Sequence, residues 1–206
     1  RGSAEGGREG GDGGGRFLGR VRGEGGPGRG LTAECCAAAR ELTVGHGTLL
    51  LIDSIQAGLR ATGYLSIVDY PGFEKVEAPD METYSKALNA GQYPLSVLAV
   101  TEATAAIYKR GLYGNTMTAN PRALDVACAV LGAITPALRS NIRERGEQVL
   151  ALLEALKAET DGRITKVQGT GLLFSCELAP GYKGYGVGST EEWMREQGIG
   201  VIHGGE

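Results

Sequence analysis

No apolar run in this sequence approaches the roughly 18 residues that a membrane-spanning helix needs, so no such helix and no membrane partner are expected. Charge of one sign is lacking too. The 21 Lys and Arg against 24 Asp and Glu leave −3 at pH 7, with the basic residues scattered and not striped. That pattern lacks the electrostatic footprint of a nucleic-acid binder. Histidine is nearly missing, and His46 and His203 have no metal-ligand partners at useful spacing. Cys35, Cys36, Cys128 and Cys176 follow neither metal-site nor disulfide-framework spacing, so no metal is expected and the thiols are read as reduced. No Met begins the chain, which reads as a piece of a longer protein; the want of a targeting segment therefore says nothing about the whole.

Glycine, by contrast, is abundant and uneven. Residues 1–30 are almost all Gly, Arg, Glu and small residues, with Phe17, Leu18 and Val21 the only sizeable apolar ones. Such a segment cannot bury enough apolar surface to offset the entropy of ordering it, and disorder is expected. From Leu31 the chain reads as globular. Residues 31–43 favour a helix closing near Gly45 and Gly47. The run Leu49-Leu50-Leu51-Ile52, ending at Asp53, suits a strand buried on both faces, as in a parallel sheet. A punctuated excursion over 54–79 leads to a short strand before Lys86. Residues 94–100 read as another buried strand, and 101–109 as a short helix. Asn120-Pro121 has the form of a cap and first helical residue. Pro136 separates that helix from a second over 137–159. Leu172, Phe174, Cys176 and Leu178 alternate with Leu173, Ser175 and Glu177, which predicts a strand with one face strongly buried. A short helix near 190–197 follows. Residues 31–135 thus read as part of a large α/β domain and 136–206 as a smaller α+β domain.

Two residues stand out for chemistry. Asp53 follows four apolar residues and so falls at the carboxyl end of an expected parallel strand, where open α/β sheets place their ligands. By position alone, the commoner role for such an aspartate is to cap the next turn. Lys86 is followed by Ala87, Asn89, Ala90 and Gly91 and then a proline-led strand, a surround that lets a planar group approach the backbone. Taken singly, a lysine is more often a solvated surface residue. The glycines at 169 and 171 lack a dinucleotide-binding context and read as a turn.

The segments LLIDSIQAGLRATG, PDMETYSKALNAGQYPLS and GNTMTANPRAL come in the order and at the spacings of three landmarks of the class-III, pyridoxal-phosphate (PLP)-dependent aminotransferases. The chain resembles that family over about residues 33–206, and the ornithine aminotransferase branch above all through GLRATG and QYPLS. The resemblance implies an α/β PLP-transferase of fold type I, present as part of the large domain plus a truncated small C-terminal domain. It implies that Lys86 forms the Schiff base with PLP and that Asp53 pairs with the protonated pyridine nitrogen. Gln56 would hydrogen-bond near the ring's phenolic oxygen, Ile55 would pack on a ring face, and Thr116 would reach the cofactor phosphate of the partner subunit in a homodimer. The implied reaction moves an amino group, the terminal amine of ornithine or a related diamino acid, to 2-oxoglutarate, in the cytoplasm or a mitochondrion. An aminomutase or decarboxylase on the same scaffold, and a non-catalytic remnant, are the alternatives.

Elementary chemistry asks for the same residue types. A carboxylate about 4 Å from the ring nitrogen favours its proton by up to about 4 kcal/mol at an effective dielectric of 20. A lysine amine loses its proton readily when partly buried or beside another cation. Two departures from the family matter. Ser54 stands where many relatives have Glu, and nothing in residues 1–30 resembles the family's phosphate-holding loop or its ring-stacking aromatic. On that ground this chain by itself is expected to be inactive.

Overall fold

The computed structural model describes residues 18–22, 32–111, 114, 116 and 118–203. Its first element already departs from expectation. Strand β1 (Leu18–Arg22) lies inside the segment expected to be disordered and pairs in parallel with β2 (Leu49–Asp53). Backbone pairing to an apolar neighbour supplies what the composition of 1–30 does not. Residues 1–17 and 23–30 lie outside the described residues.

Helix α1 (Ala33–Gly45) is capped by Thr32, whose Oγ1 accepts from Cys35 N–H at 3.2 Å, and it gives way to Gly47 in the left-handed region. Strand β2 then runs antiparallel to nothing: both of its neighbours, β1 and β3 (Met81–Tyr84), are parallel to it. Strand β4 (Val97–Val100) closes the order β1-β2-β3-β4 and is antiparallel to β3. Leu50 and Ile52 are fully buried against Cys36, Ala57, Ile67 and Phe73, the core formed by α1 and the 54–79 excursion. Leu49 and Leu51, on the opposite face, are half-buried. The strand is therefore sealed on one face only, because α1 and the excursion both cover the Leu50–Ile52 side.

Asp80 ties these elements together. Its backbone N–H donates to Leu50 O, and its Oδ2 accepts from Leu50 N–H at 2.8 Å and from Arg40 of α1 at 2.6 Å. Burial raises the Asp80 pKa, but the Arg40 hydrogen bonds, the Leu50 N–H and the Arg40 charge outweigh it and hold the carboxyl below its ordinary range.

Beyond β4, helix α2 (Glu102–Ala105) is a single turn, shorter than the residues 101–109 expected. Helix α3 (Pro121–Ala133) starts with Pro121 behind the Asn120 cap, and α4 (Pro136–Glu159) with Pro136 behind Thr135. A bend of 74° separates the two, so Pro136 opens a helix as well as ending one. No single described helix is long and apolar enough to cross a membrane. Strands β5 (Ile164–Thr170) and β6 (Leu173–Leu178) form a separate antiparallel pair beside α4, and α5 (Thr190–Glu196) follows. The expected strongly buried face of β6 is absent: Leu172 and Phe174 are exposed, and Cys176 and Leu178 only half-buried. A two-stranded sheet with one helix beside it has too little cover to seal the alternating apolar positions. All four cysteines are free thiols. Among the described residues no cluster of His, Cys, Asp or Glu could hold a metal ion.

Candidate active site

Register decides which side chains meet. Asp53, the last residue of β2, pairs with Thr83 of the parallel strand β3. Strand side chains alternate in direction, so Asp53 and Thr83 project from the same face and Glu82 and Ser54 from the other. The Thr83 hydroxyl donates to Asp53 Oδ1 at 3.3 Å, and Ile55 N–H donates to the same oxygen at 3.1 Å. Asp53 is buried, so these donors hold the carboxylate where a flexible surface acid would not stay. It does cap the turn that follows, and it also faces the carboxyl end of the sheet.

Lys86 lies two residues past the end of β3, so the acid and the amine stand at the carboxyl ends of adjacent parallel strands. It opens a 3-10 turn, Lys86–Asn89, with φ +32°, a value that L-residues seldom adopt. The turn is pinned from several sides. Ser85 Oγ donates to Leu95 O at 2.6 Å, Leu88 N–H donates to Ser85 O, and Asn89 Oδ1 accepts from Gly91 N–H at 2.7 Å. Leu88 is buried with Leu59 and Ala127, anchoring the turn to α3. The Lys86 side chain itself is exposed. A strained backbone held by packing around an exposed amine is the pattern of a positioned functional group.

The other face carries a polar group that sequence reasoning missed. Glu82, buried in the middle of β3, accepts from Ser54 Oγ and from Ser66 Oγ, the latter at 2.7 Å, and Ile67 N–H donates to Ser54 Oγ at 3.4 Å. Burial, with the Glu82 charge and hydrogen bond behind it, pushes the Tyr84 phenol far above its ordinary value. The signal was available in the sequence. A glutamate between Met81 and Thr83 in a strand that must sit inside a sheet needs hydroxyl partners, and Ser54 and Ser66 are the ones that fold onto it.

Ile55 and Gln56 are half-buried in the turn that leaves Asp53. That turn is packed tightly from behind. A Cβ on Gly58 would lie 2.7 Å from Ser54 Cβ, and a Cβ on Gly171 would lie 2.4 Å from Thr62 O. Leu172 N–H donates to Ala61 O, Arg143 of α4 donates to Gly63 O at 2.9 Å, and the Arg143 guanidinium sits 5.2 Å from the centre of the Tyr64 ring. Helix α4 and the β5–β6 turn thus hold the loop that follows Asp53. Thr116 is on an exposed turn between α2 and α3, apart from the β2 and β3 ends in sequence and in element. Its neighbour Asn115 lies outside the described residues. The structure therefore unites Asp53, Ile55, Gln56 and Lys86 at one end of the sheet and leaves Thr116 on the surface.

Comparison with known proteins gives consistent results. The class-III aminotransferase family profile matches residues 18–206. An acetylornithine aminotransferase of Neisseria meningitidis serogroup B is 34% identical over 154 residues, which is 74% of this chain and 37% of that protein. A succinylornithine transaminase of Salmonella enteritidis is 31% identical over 189 residues, 90% of this chain and 44% of its own length. Among solved structures, the ornithine aminotransferase of Toxoplasma gondii superposes with a TM-score of 0.74 at 28% identity, covering 89% of this chain and 42% of that one. The chain spans less than half the length of the relatives it matches.

Proposed function

The chain belongs to the class-III aminotransferases, a PLP-dependent family, and from that premise we propose that this protein carries PLP on Lys86 and transfers the terminal amine of ornithine or a related diamino acid to 2-oxoglutarate. The single observation that carries the reading is the placement of Asp53 and Lys86 at the carboxyl ends of neighbouring parallel strands. The names of the relatives, acetylornithine aminotransferase and succinylornithine transaminase, support a diamino-acid donor.

The residues present fit the cofactor. PLP, when bound, supplies an electron sink for the substrate carbon that loses its proton. A buried carboxylate held in place, as Asp53 is by Ile55 N–H and Thr83 Oγ, would keep a proton on the pyridine nitrogen. The Lys86 amine would attach the cofactor and, once released by substrate, carry a proton to and from the reacting carbon. Gln56 would donate a hydrogen bond near the ring's phenolic oxygen, and Ile55 would pack against the ring and keep water from it. Thr116, exposed in its turn, would offer its hydroxyl to the cofactor phosphate across a homodimer interface.

Borohydride reduction of the protein with PLP, followed by peptide mapping, tests the reading. A pyridoxyl group on Lys86 is the expected result, and its absence overturns the assignment. Glutamate formation from 2-oxoglutarate with ornithine, then with its N-acyl derivatives, identifies the donor and separates transamination from aminomutase or decarboxylase chemistry.

A further inference from the structure

Glu82 is a poor choice of residue for stability alone. It lies within β3, in register with Ile52 of β2, on the face where Leu50, Ile52 and Ile67 are fully buried. Among the described residues no lysine, arginine or histidine forms an ion pair with it. A buried carboxylate without a cation is less stable there than an apolar side chain of similar size. Hydroxyl groups surround it instead.

Those hydroxyls tie separate segments to a single oxygen. Ser54 Oγ and Ser66 Oγ both donate to Glu82 Oε1, the second at 2.7 Å. Ser66 caps the 3-10 turn Ile67–Asp69, accepting from Val68 N–H at 3.1 Å, and Ile67 N–H reaches back to Ser54 Oγ at 3.4 Å. Tyr84 stands on the same face of β3, where burial, with the Glu82 charge behind it, keeps the proton on its phenol. Hydrogen bonds accepted from fixed hydroxyls are directional. The apolar contacts around them are not.

The segment held in this way is the one that aims Asp53. Ser54 follows Asp53 directly; its N–H donates to Thr83 O at 3.1 Å, and its C=O accepts from Gly58 N–H at 2.9 Å. Ile55 N–H, next along, is one of the donors on Asp53 Oδ1. Another, Thr83 Oγ1, belongs to the residue after Glu82, on the strand that leads to Lys86. The acid therefore joins the turn after Asp53 to the strand before Lys86. We propose that Glu82 is a positioning residue: through the hydrogen bonds it accepts from Ser54 and Ser66 it locks the turn after Asp53, sets the Asp53 carboxylate against Lys86, and so makes retention of PLP depend on it. The dependence of PLP rests on the function proposed above, whereas the lock does not.

The test reads amide hydrogen exchange at single residues in the full chain without cofactor, and PLP uptake separately. Glu82→Met removes the acid at similar size, and its urea midpoint should equal or exceed that of the native protein. Exchange at the Ser54 and Ile55 amides should nevertheless quicken about tenfold relative to Leu50, the factor that losing one ordinary hydrogen bond carries. Leu50 N–H, bonded to Asp80 Oδ2, reports opening of the sheet as a whole. Glu82→Gln, whose amide oxygen can accept the same hydroxyl bonds, should stay within about threefold of the native rates. Equal acceleration at Leu50, Ser54 and Ile55 marks a merely structural acid and overturns the proposal. No acceleration, or a Gln variant that behaves like the Met one, overturns it as well. If Glu82→Met does not fold, Ser54→Ala decides: it should quicken the Ile55 amide about tenfold and leave Leu50 alone, and unchanged Ile55 exchange overturns the lock. Borohydride labelling of Lys86 in the native chain checks the PLP reading on its own. Without label that reading fails, and the exchange rates still decide the lock. With label, Glu82→Met should need about tenfold more PLP for half-labelling, and an unchanged requirement overturns the dependence.

Discussion

The backbone at Lys86 turns through φ +32°, a region that L-residues enter at a cost of about 1–2 kcal/mol. Glycine escapes that cost, whereas alanine keeps it. Lys86→Gly is accordingly expected to be about 1 kcal/mol more stable than Lys86→Ala in urea unfolding, the reverse of the usual order inside a helical turn. Equal stabilities would show that the turn relaxes and stores no strain. Asp80 offers a second test at this scale. Its folded pKa is depressed below the ordinary 3.8 because Arg40 and Leu50 N–H favour the carboxylate. A depressed acid contributes stability that is fully present above its unfolded pKa and is lost as pH falls through the folded one. The stability gap between the native protein and Asp80→Asn should therefore be constant near neutral pH and shrink below about pH 4. A gap that is unchanged from pH 7 to pH 3 contradicts the assignment. The candidate residues Asp53 and Lys86 were legible at this scale because each terminates a recognisable pattern. Thr83 was not, since its role depends on which strand lies beside β3, and Glu82 was legible only as an acid in need of hydroxyl partners, not in which ones it finds.

Helix starts were the most legible elements. Asn120 was read as a cap from its place before Pro121, and Thr32, Thr135 and Ser189, which the sequence analysis did not single out, accept the same kind of first-turn amide hydrogen bond. The β4 and β6 strands were recognised as strands, but their burial was misjudged. Hydropathy reports what a segment could bury, and cover is provided by other elements. Packing between α4 and the β5–β6 turn is a third case, invisible until the elements meet. A Cβ on Gly146 would fall 2.1 Å from Gly171 O, with backbone and no flexible side chain in the way. Gly146→Ala should cost at least 1–3 kcal/mol, of the order of other overpacking substitutions, and loosen the loop behind Asp53. Gly132 in α3 has nothing within 4 Å of the same atom. Gly132→Ala should instead stabilise by about 0.5–1 kcal/mol through helix propensity. Thermal unfolding of the two variants checks the contrast, and melting shifts of the same sign would defeat it.

At the scale of the molecule, stability is concentrated in the sheet and the layer of α1 and the 54–79 excursion. Ile52 is fully buried there, whereas Ile202 is 87% exposed. Ile52→Ala should cost about 2–5 kcal/mol and, on the role proposed for Asp53 at the end of β2, weaken retention of PLP. Ile202→Ser should stay within about 0.5 kcal/mol of the native protein. Denaturant midpoints for the pair provide the measure, and similar losses in both would mean that the core has been placed in the wrong layer.

From residue order alone came the α/β character, the Asn120 cap, the candidate residues Asp53 and Lys86 and the family likeness, all properties of neighbours within a few positions or of a linear motif. Tertiary structure decided that β1 pairs with β2, that Thr83 fixes Asp53, that Glu82 finds Ser54 and Ser66, and that β4 stands exposed at the edge of the sheet among the described residues. Each of these joins residues far apart in the chain or depends on a surface being occupied. Local patterns can specify what a segment is able to do; only the folded arrangement specifies which partner it does it with.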